Sequence, residues 1–321
     1  MRSIRLAFIV ALAAGTVPAA AQSNYPDRNI RLIIGFPPGS DFHARILADK
    51  LAEALGKPVM VDNVTRAGGN IAADRTAKAV PDGYTLGMLS NSAIAINVSL
   101  YNKLSFNPMK DLVPITQVWA IPTMLVANND VPAKSVAELV ALARARPGTM
   151  TFGHSGLGTV AHLSIEIFKS MARIDIQDVP YRGPPQTITD LLTGRITASF
   201  MPTTSAPALM QDGKLRALAV TTRERIAVAP DLPTMIESGF PGFETTIWFG
   251  LFAPQGTPKP VIDRLSRETV QILRQPEVRK KLADLGYGVL GNTPAEFATV
   301  IKAETPYWAR IINDASIKPI E

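Results

Sequence analysis

The chain has three histidines, His43, His154 and His162, and no cysteine, so thiol chemistry and Cys-based metal sites are excluded. Gly153-His154-Ser155-Gly156-Leu157 begins like the Gly-x-Ser-x-Gly turn that presents a nucleophilic serine after a strand. Its fifth residue is Leu157, however, and that architecture needs a histidine late in the chain, whereas none lies beyond His162. A serine hydrolase around Ser155 is therefore the weaker alternative. His154 and His162 stand eight apart across a glycine turn, without a His-Glu-x-x-His arrangement, and no Gly-Lys-Ser/Thr phosphate loop occurs. The expectation is a protein that binds and does not catalyse, with no cofactor and no metal.

Positioning elements follow from periodicity. Ile30 to Ile34 reads as a buried strand, and after the turn Phe36-Pro37-Pro38-Gly39-Ser40 a helix carries Ile46, Leu47, Leu51 and Leu55 on one face. Gly56 stops that helix. Pro58 to Val61 and Thr85 to Leu89 are further strands, and Val160, Leu163, Ile167, Phe168 and Met171 share a helical face. Ser135 with Glu138, Thr234 with Glu237 and Thr293 with Glu296 fit capping boxes. Repeated strand–helix–strand units predict an α/β fold.

Two apolar stretches lack a helical period, 122–127 and 246–252. Read as two hinge crossings, they divide the chain into 22–123 plus 252–321 as one domain and 124–251 as the other, with a ligand cleft between them. About 300 residues exceed what one core usually serves. Asn91 and Ser92 follow the third strand, where open α/β sheets place ligands. Tyr181, also after a strand, offers a phenol, and Trp248 and Phe249 are candidates for the cleft floor.

The N-terminus has the layout of a secretory signal over 1–21: Arg2 and Arg5, an apolar run from Leu6 to Ala14, then Ala19-Ala20-Ala21. Cleavage after Ala21 would leave a freely diffusing periplasmic protein, and without a cysteine no lipid anchor on such a residue is expected. The formal charge of +6 suits a small organic anion. Nucleic-acid binding would want a basic stripe interleaved with aromatics, and only Arg279-Lys280-Lys281 clusters, on a helix face that reads as solvated.

Ile33-Ile34-Gly35-Phe36-Pro37-Pro38-Gly39 with Asp41, Ala44 and Arg45 resembles the opening of the tripartite tricarboxylate transporter receptor family, the Bug or TctC-like proteins. Asn63 with Ala67-Gly68-Gly69-Asn70-Ile71, Pro81-Asp82-Gly83-Tyr84, Gly156-Leu157-Gly158-Thr159 with His162, and Val179-Pro180-Tyr181-Arg182-Gly183 follow in order. Asp190-Leu191-Leu192, Asp231-Leu232-Pro233-Thr234 and Trp248 with Gly250-Leu251 complete the match. The resemblance implies a two-lobed periplasmic binding protein, a type II Venus flytrap with a mixed sheet in each lobe. It would capture a di- or tricarboxylate, an aromatic acid or a nicotinate-like acid. Implied partners are the membrane subunits of a tripartite tricarboxylate-type transporter, and the receptor would be a monomer. A ligand-sensing receptor for a signalling system is the alternative.

The family's carboxylate loops fall here on Phe36, Pro38, Gly39 and Ser40 and on Ser155, Gly156, Leu157, Gly158 and Thr159, each ahead of a helix whose free amides and dipole favour an anion. Asp190 matches a further block. The first loop is shorter than the family's usual one, with only Ser40 between Gly39 and Asp41. That either removes backbone donors or makes room for a bulkier ligand. His43, in the first helical turn, is expected at the surface.

Overall fold

The computed structural model describes residues 25–321 apart from 37, 40, 66, 206–212 and 227. The signal segment expected over 1–21, and Ser40, lie outside the described residues. The elements run β1 (Ile30–Ile34), α1 (Phe42–Leu55), β2 (Val59–Asn63), α2 (Asn70–Ala77), β3 (Thr85–Ser90), α3 (Asn97–Leu100) and α4 (Pro108–Asp111). Next come β4 (Leu112–Asn128), α5 (Val136–Ala145), β5 (Thr151–His154), α6 (Val160–Ala172), β6 (Gln177–Pro180), α7 (Pro184–Leu192), β7 (Ala198–Pro202) and β8 (Leu215–Val220). The chain continues through β9 (Thr246–Pro254), α8 (Lys259–Arg274), α9 (Pro276–Asp284), β10 (Gly288–Val289) and α10 (Pro294–Asp314).

The fold is α/β and two-lobed, with a mixed sheet in each lobe. β1 runs parallel to β2 and β3, and β9 joins antiparallel to both β3 and β4. β5 runs parallel to β6 and β7, while β7 and β8 lie antiparallel to β4. β4 belongs to both sets, because it pairs with β9 through Pro122 and with β7 and β8 from Thr123 onward. Proline cannot donate to a ladder, and Pro122 stands where β4 changes partners. There Thr123, Thr221 and Thr245 join side chains, with Thr123 Oγ1 2.7 Å from Thr221 Oγ1.

Strand alternation sorts the cores. Ile30, Leu32 and Ile34 pack with Leu47 and Leu51 of α1 on one face of the first sheet, and Ile33 packs with Ala72, Ala73 and Phe297 on the other. In the second sheet Leu125 and Ala127 face one core and Met124 and Val126 another. α10 spans both lobes: Phe297 and Ile301 pack with α2 residues, whereas Trp308 and Ile312 join the core that holds Phe168 and Phe200.

Local signals mark the helix ends, with one departure from the expected capping boxes: Ser135 accepts from the Glu138 amide, but the Glu138 carboxylate accepts from the Lys134 amide and not from that of Ser135. Gly56 closes α1 at φ 70°, its amide donating to Ala52 O at 3.0 Å. Thr293 and Glu296 form the full capping box of α10, and Thr234 and Glu237 exchange the same two bonds. Arg279, Lys280 and Lys281 are solvent-exposed on α9. Gly250 is required by packing, since a Cβ there would overlap the ring of fully buried Phe297. Gly250→Ala is therefore expected to lower stability by roughly 1–3 kcal/mol through overpacking. A denaturant titration checks this, and an unchanged midpoint would refute it.

Candidate functional site

A cavity of about 1220 Å³ opens at the carboxyl ends of six parallel-sheet strands and their antiparallel neighbours. Phe36 and Gly39 come from the turn after β1, Thr65 and Gly68 from that after β2, and Ser90 and Ser92 from the end of β3. Ser155 to Leu157 follow β5, Tyr181 and Arg182 follow β6, and Thr204 and Ser205 follow β7. Ile121, Ile247 and Phe249 line the base between them.

The turn after β5 is built to leave donors free. Thr159 caps α6: its hydroxyl accepts from the His162 amide at 3.4 Å and donates to Gly156 O at 2.7 Å. The Gly156 amide donates to His154 Nδ1 at 3.3 Å and the Gly158 amide to His162 Nδ1 at 3.4 Å. The amides of Ser155, Leu157, Val160 and Ala161 have no protein acceptor among the described residues, and all four residues lie on the cavity wall. The first two helical amides have no intrahelical partner by geometry. With the dipole of a 13-residue helix behind them, these amides suit an anion. Arg182 adds an exposed guanidinium with no ion pair among the described residues.

The turn after β1 behaves differently. Asp41 is buried and accepts from the Gly39 amide at 3.1 Å, from Arg45 Nη2 at 2.7 Å and from Asn63 Nδ2 at 3.1 Å. Burial pulls its pKa upward, but the bonds from Arg45, Asn63 and Gly39 outweigh that and hold the carboxyl below its usual range. The protein's own carboxylate thus occupies the start of α1, where the sequence suggested that an external anion would sit.

The structure sorts the residues expected at the site. Phe36, Gly39, Ser92, Ser155, Gly156, Leu157, Thr159, Tyr181 and Phe249 line the cavity. Pro38 is exposed and off its wall, and Gly158 packs instead on Asn97, whose Oδ1 would lie 2.5 Å from an added Cβ. Asn91 is fully buried, its Nδ2 donating to Thr246 O at 2.8 Å. Asp190 stands behind Tyr181, accepting from its hydroxyl at 2.8 Å, and burial first and this partner second push the phenol pKa up to about 12. Trp248 points away from the cavity wall and donates Nε1–H to Glu304 at 2.7 Å.

His43, expected at the surface, is 4% exposed and lies on the cavity wall among aromatic rings. Arg182, Phe42, His43 and Tyr287 were missed as site residues. Arg182 stood inside a motif already noted, whereas nothing in sequence spacing brings Tyr287 to His43 across 244 positions.

His154, His162 and Asp178 place three metal-ligating atoms within 4.8 Å of one another. The donor set does not favour a metal. Each Nδ1 accepts a backbone amide, which puts the ring proton on Nε2, the nitrogen left for a metal, whereas ligating histidines donate from their other nitrogen. Burial, and then the neighbouring His154, push the His162 pKa down to about 4, and burial also lowers that of His154. Both rings act as neutral props of the α6 turn.

Among the described residues no helix is long and apolar enough to cross a membrane. Residues 43–317 match the family described as tripartite tricarboxylate transporter family receptor. Protein BugT of Bordetella pertussis is 36% identical over 308 residues, covering 95% of this chain and 94% of BugT. A solved R. palustris protein with adipate superposes with a TM-score of 0.88 at 33% identity, covering 92% of this chain and 100% of the other. MatC from Rhodopseudomonas palustris with bound malate gives a TM-score of 0.83 at 31% identity, covering 90% and 100%.

Proposed function

The chain belongs to the tripartite tricarboxylate transporter receptor family, and on that footing we propose that it captures a small organic carboxylate in the periplasm and delivers it, chemically unchanged, to membrane subunits of that transporter type. The observation that carries this reading is the set of four amides at the start of α6 that have no protein acceptor among the described residues, on residues that line a cavity together with Arg182. Relatives bound to adipate and to malate support a carboxylate as the cargo.

In this reading the ligand's head group rests on the Ser155–Ala161 turn and Arg182, while Phe36, Gly39, Ser92, Tyr181 and Phe249 form the opposing and lateral walls. The lobes expected from the sequence are 22–123 with 252–321, and 124–251; because β9 pairs with β3 and with the run of β4 before Thr123, the second boundary is drawn before Thr246. β4 at Pro122 and Thr123 and the chain before Thr246 act as hinges. A ligand that fits the closed arrangement better shifts the equilibrium toward it. Release into the periplasm would follow cleavage of the signal after Ala21, and the receptor acts as a monomer.

A thermal-shift screen against di-, tri- and aromatic monocarboxylates tests the proposal. At least one acid should raise the melting temperature, because a ligand that binds only the folded state stabilises it by mass action. The bound acid should be recovered intact after prolonged incubation. A flat response across the panel would sink the assignment, and a chemically altered ligand would sink its non-catalytic part.

A further inference from the structure

The part of the cavity wall supplied by α1, β9 and Tyr287 differs in chemistry from the part around Arg182. Phe36, Phe42, His43, Phe249 and Tyr287 all lie on the wall there. Phe36 sits 4.9 Å from Phe249 and 5.0 Å from His43 between ring centroids. His43 Nδ1 is 3.1 Å from the Tyr287 hydroxyl, and its Nε2 is buried with no partner. Behind it stands Trp119, fully buried, at near right angles to the imidazole and with its own Nε1 unpartnered.

This part of the wall is poorly suited to a second carboxylate. Burial holds His43 neutral, with a pKa pushed down to about 4 despite the opposing pull of Asp41. The nearby cation, Arg45, is already bound to Asp41 at 2.7 Å. An anion placed among these rings would lose hydration without gaining a counter-charge and would face the Asp41 carboxylate. A planar ring, by contrast, would gain offset and edge-on contacts with Phe36 and Phe249.

We propose that this aromatic corner selects aryl monocarboxylates bearing a neutral hydroxyl at the end remote from the carboxylate, with His43 hydrogen-bonded to that hydroxyl and Phe36 and Phe249 packed on the ring. A phenolic hydroxyl both donates and accepts, so it satisfies His43 Nε2 in either tautomer that the Tyr287 contact selects. The inference rests on the carboxylate-binding reading above and deepens it to a ligand class.

Titration calorimetry with 4-hydroxybenzoate, benzoate and adipate tests it. The order expected is 4-hydroxybenzoate tightest, benzoate about 3- to 10-fold weaker for want of one neutral hydrogen bond, and adipate weaker still. Binding of 4-hydroxybenzoate should also change the tryptophan fluorescence, through Trp119. His43→Phe keeps the ring and removes the polar edge, so the ratio of 4-hydroxybenzoate to benzoate affinity should fall toward one. Should that variant fail to fold, 4-methylbenzoate, which fills the same space without a hydrogen-bonding group, should bind the wild type more weakly than 4-hydroxybenzoate, and equal affinity would overturn the inference. Adipate binding as tightly as 4-hydroxybenzoate, or an affinity ratio untouched in the folded variant, would overturn the inference and leave the carboxylate receptor standing. Failure of every acid to bind would overturn both.

Discussion

Arg182→Ala is expected to weaken binding of the best carboxylate in the panel by about 10- to 100-fold while leaving the melting temperature of the free protein unchanged. Arg182 is exposed on the cavity wall and makes no ion pair among the described residues, so little in the fold depends on its side chain. A charge-assisted hydrogen bond to a carboxylate contributes roughly 1.5–3 kcal/mol, and about 1.4 kcal/mol corresponds to a tenfold change in affinity. Arg182→Lys should recover part of the loss, because it keeps the charge but not the planar fork that meets both carboxylate oxygens. Raising the salt concentration should weaken the wild type more than the alanine variant, since an exposed pair is screened. Calorimetric titration beside a melting curve checks all three. Wild-type affinity in Arg182→Ala would restrict the head-group site to the amides of the α6 turn.

Below neutral pH the protein is expected to lose stability steeply between pH 6.5 and about 4. His43 and His162 are buried, and each has its pKa pushed from 6.5 down to about 4 by that burial. In this window the unfolded chain takes up protons that the folded one refuses, so stability is complete above pH 6.5 and declines as pH falls toward 4. His154 shifts in the same direction. At 1.36 kcal/mol per pKa unit, His43 and His162 correspond to on the order of 3 kcal/mol each.

Glu304 opposes them. Burial raises its pKa from 4.5 to about 6, and its indole partners Trp248 and Trp308 only partly offset that. Its folded form therefore binds a proton first, which adds roughly 2 kcal/mol as pH falls through 6 to 4.5. The net effect is still loss. Melting temperatures measured from pH 7 to 4 should fall throughout, and His43→Phe should give a visibly shallower decline. A melting temperature independent of pH across that range would show that these rings are not buried and neutral as described.

Much of the architecture was legible because it depends on neighbours in sequence. The Thr293–Glu296 and Thr234–Glu237 caps are three-residue devices, and Gly56 supplies the left-handed conformation that ends α1. The segment where β4 changes partners was visible as the apolar stretch 122–127, which opens on Pro122 and lacks a helical period. The α6 turn was singled out because the family resemblance places a carboxylate loop on 155–159, where Gly-Leu-Gly-Thr precedes an amphipathic helix.

The choice between Trp248 and Phe249 was not legible. A period of two places them on opposite faces of β9, but β9 is buried on both faces, so nothing local says which face meets the cavity. Phe249 joins the core around Trp119, whereas Trp248 packs with Phe297.

The amino-acid order by itself determined the strand–helix alternation and most helix ends, because each arises from interactions a few residues long. Only the tertiary structure decided which donors remain free for a ligand. Asp41 closes the β1 turn with help from Asn63, which lies on β2, and His43 becomes neutral because Trp119, Phe249 and Tyr287 converge on it from elements far apart in the chain. Burial and partner choice are properties of converging elements, and spacing along one segment carries no record of them.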